Sequence, residues 1–512
     1  MDSGKQPIPI QPSAKRFACC TRYEPVEALP TTERDDGHLD HREARSGRMN
    51  RRQFFYRAAV AGSLGFLAGC PDLGPSETET PADVQTPPSV TTTGTPPSSD
   101  TVPTSYHRRF DEVVDLVEAG ADPGGSRPLN PVLERAAADD TLLHLPAGRY
   151  QMDGQWSREA FENFGLYGPE ATIVPPETYA GNLFVIGGDG PSRGLVVDGL
   201  HFDVSAENTG PRALHATVTD GLLVSDLSVS GLQDTDQGLT RFDVTDPDGR
   251  GRVERMRMPD GGEPGTVATG CLVGPRSEGE IRFVDCHVAG FPDNGLYASP
   301  APGVVTVSGG RYANNGIANV RVSDGSEVRG VHVICDEARD GVQNMRGIRL
   351  REGDDALVQN CLVELYEVTD SGGAITLSSD MQSATIRDTA IRVDADDVPA
   401  IRAKPANSDE TTNETQLSCE NVTIVGSAAN GQSIEVLERG VTSFRGLCLH
   451  QTGPDRDGLF FIRSGESVVR DSKVNVTGNA VVSRDSTVRT NGLDVNSAIS
   501  CPSARFSKPF DG

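Results

Sequence analysis

Lysine is almost missing from this chain: Lys5, Lys15, Lys404, Lys473 and Lys508 are all it has, so most of the 47 basic residues are arginine. Positive charge is short as a whole, and the formal net charge is -26. A nucleic-acid binder needs a basic footprint for phosphates, which this balance excludes. An acidic, arginine-rich surface fits a protein that must stay soluble in concentrated salt, a halophile signature. Aromatic residues make up only 5%, with a single tryptophan at Trp156. That scarcity counts against a sugar platform built on stacked rings. There is no C-x-x-C pair, so a zinc site is not expected, and no residues are assigned to a metal. No apolar run reaches the roughly 20 residues a membrane-spanning helix needs. Helical periodicity is absent from the long body of the chain, which argues against a helical repeat array.

What is present near the amino terminus is an ordered targeting device. Asn50 to Cys70 reads NRRQFFYRAAVAGSLGFLAGC. The Arg51-Arg52 pair, Phe54-Phe55, and a short apolar run to Ala68 match a twin-arginine export signal. The run ends in Leu67-Ala68-Gly69-Cys70, which resembles a lipobox. Cys70 is then the expected lipidation site. The expected location is the outer face of the cell membrane, with the lipid as the sole membrane contact. Residues 1–48 are polar and aperiodic and fit poorly as a leader, so Met49 is the expected start. Residues 71–105 are rich in Pro, Thr and Ser and read as an extended stalk. Asn413, Asn421 and Asn475 open N-x-Thr sequons, which on an exported protein are glycosylation candidates. Seven further cysteines are scattered from Cys271 to Cys501, mostly at apolar positions where cysteine serves as a small hydrophobe.

From about residue 193 one pattern returns: an apolar residue, any residue, then Asn, Asp or Gly, then further alternation. The polar or glycine mark falls at 285, 309, 330, 360, 388, 421, 446, 471 and 491. The intervals suit one coil of a solenoid. Between the marks lie short segments rich in Val, Ile and Thr with period two, which predicts strands. Stacked coils of this length predict an all-β fold, a right-handed parallel β-helix. A second ladder places Leu296, Ile348, Ile375, Ile401 and Ile434 inward. Tyr297, Arg349, Thr376, Arg402 and Glu435 then point outward, and Arg351, Ser378 and Lys404 form a parallel outward row. A break at 232–269 reads as an insertion, with Arg241–Val244 and Val253–Met258 forming a projecting hairpin.

The amino-terminal part of the body carries a resemblance. Gly120-Ala121-Asp122-Pro123, an amphipathic stretch from Leu129 to Ala138, and Leu145-Pro146-Ala147-Gly148-Arg149-Tyr150 resemble the opening of pectate-lyase-like β-helix proteins. The resemblance implies a short capping helix on the first coil, and a Pro-x-Gly-x-Tyr strand that opens the solenoid. The later stretch is similar to haloarchaeal exported β-helix proteins. The expected organisation is therefore a cap and first coil over 106–175, a β-helix over 176–500, and a tail over 501–512. The superfamily holds polysaccharide lyases, glycoside hydrolases, epimerases and non-enzymatic surface proteins, so the fold does not supply the function.

The candidate site is the basic cluster Arg346, Arg349, Arg351, Arg402 and Lys404, conspicuous in so acidic a chain. A lyase acting on uronates needs a cation to neutralise the sugar carboxylate and a base for the adjacent proton. Lys404 and Arg349 are the candidate catalytic cations. Asp354 and Asp355 are the candidate carboxylate pair for a hydrolase, and Glu352-Gly353-Asp354-Asp355 reads equally as a solvated turn. Arg346, Arg351, Arg402 and Tyr297 are the candidate substrate contacts. The sequence assigns no certain cofactor, and calcium is a candidate if the protein is a lyase. The partner expected is a polysaccharide or cell-surface glycan. The alternative is a non-catalytic structural or adhesive surface protein, and catalysis itself stays open.

Overall fold

In the computed structural model the described residues are 101–299, 301–407, 415–496 and 501. Their strands pair in parallel and form two sheets, one of 27 strands and one of 13. The long sheet is two adjoining columns of strands. The thirteen-stranded sheet is the third wall of each coil. One full coil illustrates the path: Ile348–Gly353 in the thirteen-stranded sheet, then Ala356–Gln359 and Leu362–Glu367 in the long sheet. The chain is thus a parallel β-helix of about thirteen coils, with almost no helix.

The inward ladder is in the expected register. Leu296 pairs Val320, which pairs Ile348, then Ile375, Ile401 and Ile434 in turn. All six are essentially without solvent exposure. Each coil cannot bury this apolar stripe alone, so stacking is what stabilises it. The rung holding Val320, Arg321 and Val322 lies between those of Tyr297 and Arg349 and was not in the sequence-derived ladder.

The polar marks are corner residues. Asp285, Gly309, Gly330, Asn360, Asp388, Asn421, Gly446 and Asp471 all hold positive φ, between 49 and 66°. They link the two strand columns of the long sheet through a left-handed residue, followed at Gly309 by a second, Gly310, with φ 85°. Asn, Asp and Gly tolerate that conformation best. In the last coil the mark moves by one residue: Gly492, not Asn491, carries φ 69°.

The expected insertion at 232–269 is not one. Thr240–Val244 pairs in parallel with Arg212–Val218 and with Cys271–Val273. Arg250–Glu254 pairs with strands on both sides, and Arg257 and Met258 do the same work in the next column. This is an ordinary coil and holds no antiparallel hairpin. The sequence hides it because its corner residue is Arg255, with φ 52°. Its guanidinium forks onto Asp226, the corner residue one coil earlier, with Nε–Oδ1 2.8 Å and Nη2–Oδ2 2.7 Å. The bidentate pair holds an arginine where a small polar residue is usual.

At the amino-terminal end, helix α2 (Asn130–Ala136) lies within the expected amphipathic stretch. It packs Val132 and Leu133 into the main core beside Leu129. The strand Gly148–Gln151 follows, with Tyr150 buried and its hydroxyl donating to the Pro146 carbonyl at 2.8 Å. Helix α1 (Thr104–Arg109) leads to Phe110 on the outer face of the long sheet. There Val102 and Phe110 cover Leu142, Tyr167 and Val196 in a separate apolar cluster. Cys271, Cys286, Cys335, Cys361 and Cys419 are free and buried. Burial pushes the Cys335 and Cys361 thiols up to about 12, so these are packing residues. Cys448 is joined to Cys501 by a disulfide. Cys70 and Asn413 lie outside the described residues, as do the whole signal segment, the leader and most of the stalk.

Candidate functional site on the thirteen-stranded sheet

Outward positions of the thirteen-stranded sheet line up rung by rung, about 4.8 Å apart. The central row reads His215, Arg241, Leu272, Tyr297, Arg321, Arg349, Thr376, Arg402, Glu435 and Phe460. Period-two alternation produces it: the flanking residues of each strand face the core, so the central residue must face out.

Several of the expected residues therefore share one face. Arg321 lays its guanidinium over the Tyr297 ring, 4.4 Å from the centroid. Its Nε is buried and has no hydrogen-bond partner among the described residues. Burial lowers the Arg321 pKa, and the Arg351 charge adds to that, while Tyr297 opposes it. Arg349 Nε donates to Ser378 Oγ at 3.1 Å. Arg351 pairs with Asp380, whose carboxyl that pair holds below its usual range. The Arg351 row is interrupted by a register shift between Leu350 and Glu352. Arg402 Nε lies 2.9 Å from Glu435 Oε2. Lys404 follows the strand Ile401–Ala403, and its carbonyl accepts from Arg439 Nε.

Other expected residues fall elsewhere. Arg346 is buried at 3% exposure, before the strand begins, and its Nη1 donates to the Ile317 carbonyl at 3.2 Å. It holds neighbouring coils together and is not presented to solvent. Asp354 and Asp355 sit in the exposed turn between the two sheets. Asp355 has φ 55°, and its backbone N–H donates to Ser383 Oγ at 2.9 Å. The same hydroxyl donates to Asp355 Oδ1 at 3.2 Å. That is the geometry of the turn reading. Asn421 is an exposed corner residue, its amide donating to Asp388 Oδ1 at 3.1 Å. Asn475 is half-buried, its amide nitrogen 2.8 Å from His450 Nδ1.

The structure adds residues that sequence reasoning missed. Arg321 lay on an unrecognised rung. Asp293, which with Asn294 reads from the sequence as a turn or asparagine ladder with ligand contact left open, sits in the loop before the Tyr297 strand; Thr269 Oγ1 donates to its Oδ2 and Asn294 Nδ2 to its Oδ1, both at 2.8 Å. Burial raises the Asp293 pKa, against the pull of those hydrogen bonds and of the Arg321 and Arg349 charges. Arg241 and Asp243 were absorbed into the supposed insertion, and His215 lies on the strand just before it, Arg212–Val218. The signal available was the alternation His215-Ala216-Thr217 and Arg241-Phe242-Asp243, which matches the later rungs. Groups of three or more metal-ligating side chains are absent among the described residues.

No family model and no curated protein matches this chain. Solved structures do. The surface protein and adhesin PfbA of Streptococcus pneumoniae is 11% identical, with TM-score 0.38, over 75% of this chain and 99% of that one. The catalytic unit of a GH87 α-1,3-glucanase from Streptomyces thermodiastaticus is 14% identical, with TM-score 0.40, over 75% and 68%. The A-module of the mannuronan C-5 epimerase AlgE6 from Azotobacter vinelandii is 12% identical, with TM-score 0.36, over 75% and 99%. The parallel strand pairing, rather than these matches, establishes the class: a parallel β-helix protein.

Proposed function

We propose that this is an exported cell-surface β-helix protein that binds an acidic polysaccharide along the outward row of its thirteen-stranded sheet. One observation carries the reading: in a chain of net charge -26, Arg321, Arg349 and Arg402 stand on one outward row within four successive rungs, next to Tyr297. Guanidinium groups suit planar carboxylates, because their fork of donors matches the two oxygens. The regular rung spacing suits a ligand that is itself a repeating chain. Arg321 on Tyr297 supplies the one aromatic contact in the cluster.

Export by the twin-arginine route and a lipid on Cys70 rest on the sequence motif, as does the likeness to haloarchaeal lipoproteins. The Cys448–Cys501 disulfide supports an oxidising location. A second reading, a lyase or hydrolase of acidic glycans, is favoured by Asp293. Burial raises its pKa above that of an ordinary aspartate, the direction a proton donor beside the cations requires. In the lyase case the arginines neutralise the sugar carboxylate and Lys404 lies on the same side; calcium would be an added requirement. The test is incubation of the protein with polyuronates and with neutral glucans, followed by binding and by product analysis. Retention of polyuronate without new chain ends supports the binder. Unsaturated or newly reducing ends lost in Asp293→Asn support the enzyme. No retention of any acidic polymer would end both readings.

A further inference from the structure

Toward the amino-terminal end of the same sheet, a second group of charges is built differently from the row above. His215 and Arg241 occupy adjacent rungs, and Thr217 and Asp243 are paired two positions further along the same strands. Asp243 has no exposed surface. Its Oδ2 takes Arg241 Nε at 2.8 Å and lies 3.9 Å from His215 Nε2. His215 Nε2 is 3.4 Å from Thr217 Oγ1, which also accepts from Arg276 Nη2 at 3.3 Å. Arg212 reaches the Gly238 carbonyl and Gln237 Oε1, at 3.2 and 3.0 Å. Gly274 packs flat on the Arg241–Asp243 pair; a Cβ there would stand 2.5 Å from Arg241 Nη2.

We propose that Arg241 and Arg276, backed by Arg212 and hinged on His215, form a separate anion subsite that takes the carboxylate of an acidic sugar. Three guanidinium groups act on His215, and one of them, Arg241, pairs with the single buried carboxylate of Asp243. The other acid present is Asp189, whose Oδ1 is 2.5 Å from Arg276 Nη1 and whose side chain is 96% exposed. A pair that exposed contributes at most about 1 kcal/mol, so an incoming carboxylate displaces Asp189 from Arg276 at small cost. The shortage of negative charge is visible in the groups themselves. Burial, and then the charges of Arg241, Arg212 and Arg276, push His215 down to about 3. Burial and the Arg241 charge push Arg212 down to about 10. The imidazole stays neutral beside Asp243 because it is buried and, beyond that, because three guanidinium groups surround it. A bound carboxylate within a few ångströms favours the charged imidazole and raises its pKa. Arg241 and Arg321 are three rungs apart, about 14 Å at the usual strand spacing, so one chain lying along the sheet can engage both sites.

The experiment is an NMR titration of His215 in the protein with D-glucuronate, with D-glucose and inorganic sulfate as comparison ligands. Glucuronate is expected to shift the His215 ring signals saturably and to raise its pKa by at least one unit. Glucose is expected to leave both unchanged, and sulfate to bind at least tenfold more weakly. Arg276→Gln, on an exposed arm, should weaken glucuronate at least tenfold with an unchanged thermal unfolding curve. Arg402→Gln, in the other cluster, should leave the titration as it is, which separates this subsite from the row reading. A His215 blind to glucuronate, equal response to sulfate, or full-strength binding by both Arg276→Gln and Arg241→Lys would each overturn the assignment.

Discussion

On the long sheet, arginine and carboxylate alternate along single strands: Arg282 with Glu280, Arg329 with Glu327, Arg392 with Asp394, at 2.5, 2.6 and 2.8 Å. These arginines are 39 to 57% exposed, and each pair raises its arginine's pKa. On the thirteen-stranded sheet the same residue types meet burial. Arg212, Arg321 and His215 are lowered, and Asp293 is raised, with desolvation the largest cause in every instance. The first face solvates its charges and keeps an acidic protein soluble. The second holds charges against the pull of water, an arrangement that concentrates at binding and catalytic sites.

Burial alone does not make a site, and Arg439 marks the distinction. It is 2% exposed and donates to the backbone carbonyls of Ser378, Met381 and Lys404. Arg456 does the same to Asn430 and Val398. Such an arginine is a staple between coils, with its donors spent on the chain. The largest effect is therefore expected for Arg439→Met, which leaves three carbonyls without that donor and should cost about 3 kcal/mol in denaturant unfolding. An unchanged midpoint would blur the distinction between staple and site.

His215 sharpens the comparison through pH. Its folded pKa is depressed from 6.5 to about 3, so the unfolded chain binds a proton that the folded chain refuses. Its contribution is intact above 6.5 and is lost progressively as pH falls toward 3. The slope is up to about 1.4 kcal/mol per pH unit from this one group. His215→Asn should flatten the acid limb of the stability profile, read from denaturant unfolding between pH 3 and 7.

A smaller effect is expected at the corner: Asp388→Ala must keep φ at 50° without a side chain that favours it, costing about 1–2 kcal/mol. Smallest is Arg282→Gln on the solvated face, expected within about 0.5 kcal/mol of the parent. A loss as large as that of Arg439→Met would show that the long sheet's pairs carry stability after all.

The fold was legible because the corner inside the long sheet needs a left-handed residue in each coil, and Asp285, Asn360, Asp388 and Asn421 advertise it. The coil around Arg255 was not, since an arginine held by Asp226 leaves no such mark. Half of the site was legible for the same reason of periodicity: Tyr297, Arg349 and Arg402 follow the ladder. Arg346 misled because charge in sequence does not reveal burial. Arg321 and His215 were missed, and Asp293 read mainly as a turn residue, because their significance comes from desolvation by neighbouring coils, which no local pattern records.

The central claim is that the thirteen-stranded face, and not the long sheet, receives an acidic polymer. Calorimetric titration of the protein with a polyuronate of defined length tests it most directly, comparing the parent with Arg321→Gln/Arg402→Gln and with Arg282→Gln/Arg329→Gln. The account predicts at least a tenfold loss of affinity for the first pair, a change under twofold for the second, and no binding of a neutral glucan by any form. Equal losses for the two pairs, or binding that ignores the polymer's charge, would contradict it.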